Sequence, residues 1–260
     1  MSREFSMDRR AYLATLGTGA AASLAGCSGF LGGSDAIVPG TAPGFQPFEF
    51  REGGELVGFD IDLTEAVFAE TDYELAEWET FEFDSLIQAL TNDRIDFIAA
   101  AMTINDDRDE TIDFSDPYYS ANQSVVVRDD GSFSPSELGD LSGHPIGAQS
   151  GTTGEGVIQT ELIETGELEE SNYNSYDNYV LAVEDLQNGN IDAVVIDEPV
   201  GETFASQRPV EVAFVYETGE QYGFGMRTED DDLTTAVNEG LAAVRQGGTY
   251  GELTSEWFGN

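Results

Sequence analysis

Arg108 stands just beyond a short apolar run, residues 95–102, that is nearly free of charge. Such a run suits a strand buried on both faces of a parallel sheet. Open parallel sheets bind ligands just past the carboxyl ends of their strands, so a small molecule would sit here. Ala100 and Ala101 are small enough to let a ligand reach backbone groups, and Thr103 adds a hydroxyl. The planar guanidinium of Arg108 matches a carboxylate bidentately, at about 1.5–3 kcal/mol per charged hydrogen bond. Taken alone, Arg108 could as well neutralise Asp106, Asp107, Asp109 and Glu110 on a solvated turn. Asp197 closes a second apolar run, residues 191–197, and is either a ligand-facing acid or a helix N-cap before Glu198-Pro199. Phe45 lies in a loop crowded with Pro and Gly, where a large aromatic is a lid over core or a binding platform. Phe48 and Phe83 fit core as readily. The Gly151-Thr-Thr-Gly turn opens a helix and can hold an anion on its N–H groups, but no lysine follows to make a phosphate loop.

The elements that must position these residues are legible as periodicities. Residues 37–38 read as a brief strand, and Gly53-Gly54 as the turn of a hairpin. Leu63, Val67 and Phe68 recur at helical spacing, residues 73–78 alternate like a strand, and Leu86, Ile87 and Leu90 share a helical face. The order β, hairpin, α, β, α, β predicts an α/β layer architecture with right-handed crossovers. A second unit has strands at 124–128 and 145–149, the Gly-rich turn, a helix at 180–187 and a buried strand at 191–197. Asn92-Asp-Arg-Ile-Asp-Phe-Ile and Asn188-Gly-Asn-Ile-Asp-Ala-Val repeat one pattern, a polar turn after a helix and then Ile-Asp and a strand. Two similar α/β lobes follow from this, with one more strand and two helices closing the chain near Trp257-Phe258.

Charge sets this chain apart. Fifty-one acids face ten bases, all of them arginine, for a formal net charge of -41. An aromatic content of 11% and regular apolar runs argue for a folded protein rather than an acidic disordered one. Self-repulsion of this size is tolerable where salt screens it, since the Debye length is only about 3 Å at 1 M ionic strength, and a halophilic source is expected. A surface of this sign repels phosphate, which argues against nucleic acid as a partner. Arg9-Arg10 precede an uncharged stretch, residues 11–26, that is shorter than a membrane span and resembles a twin-arginine export signal. Leu24-Ala-Gly-Cys27 resembles a lipobox, with Cys27, the single cysteine, as the lipid attachment point. Residues 1–26 are thus expected to be a lipoprotein signal and 27–35 a short tether, anchoring the chain to the outer face of the cytoplasmic membrane.

In order along the chain, Gly40-Thr-Ala-Pro-Gly-Phe-Gln-Pro-Phe-Glu-Phe, Val57-Gly-Phe-Asp-Ile-Asp-Leu, Phe83-Asp-Ser-Leu-Ile-Gln-Ala-Leu, Ala101-Met-Thr-Ile-Asn-Asp-Asp-Arg, Asp113-Phe-Ser-Asp-Pro-Tyr-Tyr, Gly151-Thr-Thr-Gly, Asp192-Ala-Val-Val-Ile-Asp, and Gly248-Thr-Tyr-Gly with Trp257-Phe-Gly resemble the family 3 extracellular solute-binding proteins of polar amino-acid ABC transporters, here in a form like haloarchaeal lipoproteins. The resemblance covers residues 37–259. It implies a two-lobe, periplasmic-binding-protein-like (type II) α/β fold with a hinge of two crossover strands, near residues 120–123 and 221–223. Lobe one would take residues 36–121 and 223–260, and lobe two residues 122–222. It implies a monomer that needs no cofactor or metal, binds a free amino acid and presents it to a membrane permease. Position by position, Arg108 would pair with the ligand carboxylate, with the Thr103 hydroxyl and the N–H groups of Thr103 and Thr153. Asp197 and the Ala101 carbonyl would take the ammonium, Phe45 and Phe83 would sandwich the side chain, and Gln149 and Thr152 would line lobe two. Where the family often carries Asp, this chain has Ala42, which weighs against a basic ligand. Two rivals share the scaffold: a ligand sensor for a membrane signalling partner, and an enzyme resembling cyclohexadienyl dehydratase. The second needs a general acid in the cleft, and the single histidine, His144, is expected on a surface turn.

Overall fold

The computed structural model describes residues 36–259, so the leader, Cys27 and the whole tether expected above lie outside the described residues. Strands β1 (Pro39–Thr41), β2 (Phe50–Glu52) and β3 (Glu55–Val57) lead into helix α1 (Phe59–Phe68), with β2 and β3 paired as the hairpin that Gly53-Gly54 predicts. Next come β4 (Glu79–Thr80), α2 (Leu86–Thr91), β5 (Phe97–Ile98), the short α3 (Asp106–Asp109) and β6 (Asp113–Phe114). The long β7 (Tyr119–Arg128) carries the chain to β8 (Ile146–Gln149), α4 (Thr153–Val157), β9 (Tyr173–Tyr176), α5 (Tyr179–Asn188), β10 (Ala193–Asp197) and α6 (Glu198–Gln207). β11 (Val210–Tyr222) returns it to β12 (Gly225–Met226), α7 (Asp231–Gly247) and α8 (Thr249–Phe258).

Two five-stranded sheets result, ordered β4-β1-β5-β12-β6 and β11-β7-β10-β8-β9. In each, three parallel strands bear the site loops, and an antiparallel strand from the far side of the hinge, β12 or β7, lies between them and a fifth strand. The chain passes between the sheets twice, where Tyr119, Ser120 and Ala121 pair antiparallel with Tyr222, Gln221 and Glu220. Leu233, Val237, Leu241 and Val244 recur along one buried face of α7, which packs against α1. That contact needs Gly240, because a Cβ there would come within 2.6 Å of the Val67 carbonyl oxygen.

The repeat seen in the sequence has a structural counterpart. In lobe two, Arg128 donates to the carbonyls of Leu186 (3.0 Å) and Ile191 (2.6 Å) and to Asp192 Oδ1 (2.9 Å). In lobe one, Arg227 donates to Leu90 (3.4 Å), Ile95 (2.9 Å) and Asp96 Oδ1 (2.8 Å). Each guanidinium ties the last turn of a helix to the start of the next strand, which satisfies carbonyls that a helix end leaves open. Two of the few arginines are spent this way.

Five elements differ from expectation. The run at 95–102 is a strand only at Phe97–Ile98, because Ala101 leaves extended geometry with φ 45° and donates its N–H to Asp60 Oδ2 at 2.7 Å. The alternation at 73–78 gives a strand only at Glu79–Thr80, preceded by a bridge from Leu75 to Ile37. Helix α6, strand β9 and most of β11 are additional to the sequence reading. β11 conceals itself because Thr218-Gly219 interrupts its alternation, where its register against β7 slips.

Candidate ligand-binding site

Arg108 is placed by local capping. Asn105, at the start of α3, accepts the Arg108 N–H on its side-chain oxygen at 2.9 Å, which fixes the one-turn helix and throws the guanidinium back over the strand end. There it donates to the Thr103 carbonyl at 2.7 Å and, across to lobe two, to the Gly151 carbonyl at 2.8 Å, while lying 5.3 Å over the Phe83 ring. Two of five donors are used and three remain. Burial lowers its pKa, and the charges of Asp197 and Glu220 work against that shift.

The two lobes meet around one narrow cleft, lined by all nine residues proposed from the sequence: Phe45, Phe83, Ala101, Thr103, Arg108, Gln149, Thr152, Thr153 and Asp197. Contacts across the lobes are direct. The Thr153 hydroxyl donates to that of Thr103 at 2.9 Å, the Ser150 hydroxyl to Asp84 at 3.0 Å, and the Phe45 ring meets Tyr179 at 5.8 Å. Gly151 is required at this junction: its φ is +75°, and a Cβ would fall 2.9 Å from that of Asp84.

Asp197 ends β10 without capping α6 through its side chain; its Oδ1 accepts the Tyr222 hydroxyl at 2.6 Å. Burial pushes its carboxyl up to about 8, with the Glu220 charge adding and the Tyr222 bond opposing. Thr152 does cap, taking the Glu155 N–H at 3.3 Å and donating to the Gln149 carbonyl at 2.7 Å. Behind Thr103, whose hydroxyl donates to Glu220 Oε2 at 2.6 Å, the Gln123 amide binds the other oxygen of Glu220 at 2.8 Å. His144 is half-buried rather than on the surface, stacked 4.0 Å from Phe133 and bonded to Asp192 at 2.9 Å, and does not line the cleft.

Glu49 is the residue the sequence reading overlooked. It follows Phe48 in the Pro/Gly loop, lines the cleft together with Ala42, and is 1% exposed. Its carbonyl holds the loop by accepting the N–H groups of Gly44 and Phe45. Its carboxyl lies well above the usual range because of burial, then the charges of Asp60 and Asp197, and Oε2 has no hydrogen-bond partner among the described residues. The weight placed on Ala42 left Glu49 out of account, a carboxylate that lines the cleft beside it. No group of three or more His, Cys, Asp or Glu among the described residues is arranged to hold a metal ion.

Known proteins share this architecture. A "Probable histidine-binding protein" of Campylobacter jejuni is 32% identical over 84% of this chain and 83% of its own. The crystal structure of a mutant of ArgBP from T. maritima superposes with a TM-score of 0.79 at 34% identity, covering 86% of this chain and 96% of the other. An ancestral arginine-binding protein bound to arginine gives 0.80 at 33%, covering 86% and 98%. The profile of the bacterial extracellular solute-binding proteins, family 3, matches residues 37–260, and the chain belongs to that family.

Proposed function

We propose that this chain is the receptor of an ABC importer for a polar amino acid, and that the favoured ligand carries a cationic side chain. The observation that carries this reading is a single cleft that receives a guanidinium from lobe one, a carboxylate from lobe two and a second carboxylate from Glu49, whose buried Oε2 has no hydrogen-bond partner among the described residues. The three remaining donors of Arg108 suit an α-carboxylate, whereas the Thr103 hydroxyl already donates to Glu220. Asp197 and the Ala101 carbonyl suit an α-ammonium, and the side chain runs between Phe45 and Phe83 past Gln149 and Thr152. Burial and the neighbouring acids favour the neutral form of Glu49, and a cationic side chain beside it would favour the ionised form instead, so the reading takes arginine, lysine or histidine ahead of neutral or acidic side chains. This reverses the preference drawn from Ala42.

A thermal-shift screen of the twenty amino acids in molar KCl tests this. Arginine, lysine or histidine should raise the melting temperature most, and Glu49→Gln should shift the preference toward glutamine. Stabilisation by no amino acid would reject the receptor reading, and stabilisation by glutamate alone would reject the role of Glu49.

The same proposal includes export through the twin-arginine route and anchoring through Cys27. Cys27→Ser should move the protein from the membrane fraction to the medium, and an unaltered distribution would count against lipidation.

A further inference from the structure

On the outside of the junction between the lobes lies a groove of about 340 Å³ whose lining contains no acid. In a chain with 51 acids and ten arginines that is an exception. Lobe one contributes Gly44, Phe50 and Arg51, and lobe two Val180, Phe204 and Arg208. The hydrogen bonds of both guanidiniums go to uncharged oxygens, Arg51 to the Gly54 carbonyl at 3.2 Å and Arg208 to the Gln187 amide at 3.4 Å. Arg208 also lies 5.1 Å over the Phe204 ring. Their charge is therefore directed at the groove and solvent instead of a carboxylate.

The groove shares its wall with the ligand cleft. Gly44 and Val180 are chain neighbours of Phe45 and Tyr179, whose rings meet inside the cleft. On the outer side a Cβ on Gly44 would lie 3.7 Å from Val180, so the two lobes touch at the groove floor. Leu181, the next residue on α5, is 43% exposed, one of two large apolar side chains so exposed among the described residues.

We infer that this groove is where the closed protein docks on its membrane partner, and that it takes a protein segment bearing a carboxylate beside apolar side chains. The inference rests on the importer reading above. A surface with a net charge of -41 repels an acidic segment except where guanidiniums project beside apolar walls, and here two of them line one groove. In molar salt, screening over about 3 Å leaves only contacts of this short range to discriminate. An anionic bilayer fits less well, because a flat leaflet meets the acidic surface around the groove along with the groove itself. Since both lobes build the lining, the partner would read the closed form.

The test is the double variant Arg51→Glu/Arg208→Glu in the full chain. Arginine affinity, by calorimetry in molar KCl, should stay within about twofold, because neither residue lines the cleft. Uptake of radiolabelled arginine into cells carrying the chain and its permease should fall by about tenfold or more, while Arg51→Lys/Arg208→Lys retains most of it. Should the reversed variant not fold, Arg51→Gln/Arg208→Gln replaces it, with a loss of about threefold expected. Unaltered uptake by a folded variant overturns the inference. So does arginine-dependent flotation of the wild type with phosphatidylglycerol vesicles that the reversed variant loses, which would assign the groove to lipid headgroups. A wild type that neither binds arginine nor supports uptake would instead remove the importer reading itself.

Discussion

Asp197 and Asp60 show how burial turns carboxylates into proton carriers. Asp60, at the start of α1, accepts the Ala101 N–H and the Tyr118 hydroxyl, yet burial outweighs both bonds and lifts it to about 6. Asp197 is lifted to about 8. An unfolded aspartate titrates near about 4, so between that pH and those values the folded chain holds more protons than the unfolded one. Stability contributed by these groups is therefore present in acid and falls as pH rises through that window. An ammonium group beside Asp197 favours its ionised form, so binding near neutrality should expel a proton. Calorimetry at pH 7 in phosphate and in Tris should give different apparent heats, with about one proton fewer released by Asp197→Asn. Identical heats in the two buffers would contradict this. At this scale the sequence marked residues by type and context: Arg108 past a strand end, Asp197 closing a buried run, Phe45 in a Pro/Gly loop. Glu49 escaped because an acid in an acidic chain carries no signal. Only the turn that bonds Gly44 and Phe45 to its carbonyl, and so buries it, distinguishes it.

Helices and strands were readable where one face repeats and unreadable where tertiary partners set the geometry. The apolar period of α1 and the run in β10 gave those elements. The bend at Ala101 did not follow from any local pattern, since it depends on Asp60 forty-one positions away. A backbone of that kind is costly for alanine and is held here by a buried hydrogen bond next to the cleft. The paired arginine clamps belong to this scale too. Arg227→Ala should destabilise the fold by roughly 3 kcal/mol, read from urea unfolding in molar KCl, because it strands two carbonyls and Asp96 in a half-buried setting. A change within experimental error would show the clamp to be incidental. Gly151→Ala addresses the junction itself: alanine at φ +75° should lower the melting temperature without ligand, and with Asp84 in the way ligand affinity should drop about tenfold as well. Unchanged affinity would mean that the lobes need not approach so closely.

Across the whole molecule, the two-lobe plan was written in the repeated Ile-Asp turns, and the hinge in the segments that join the sheets. Net charge is the property that no single element explains. Acids are spread over the chain while arginines gather in the two clamps, the cleft and the outer groove, and a halophilic adaptation would make the fold depend on salt to screen that self-repulsion. Near-UV circular dichroism should therefore be lost on dilution from molar KCl to low salt at constant temperature, and its full retention would contradict a halophilic adaptation.

The central claim is that one zwitterion is gripped by Arg108 from one lobe and Asp197 from the other. Titration calorimetry of arginine and of its decarboxylated and deaminated analogues, against wild type, Arg108→Ala and Asp197→Asn, tests it most directly. Wild type should lose about tenfold or more with either analogue, Arg108→Ala should no longer distinguish arginine from the decarboxylated form, and Asp197→Asn should no longer distinguish it from the deaminated form. Variants that keep the full discrimination of the wild type would contradict the account.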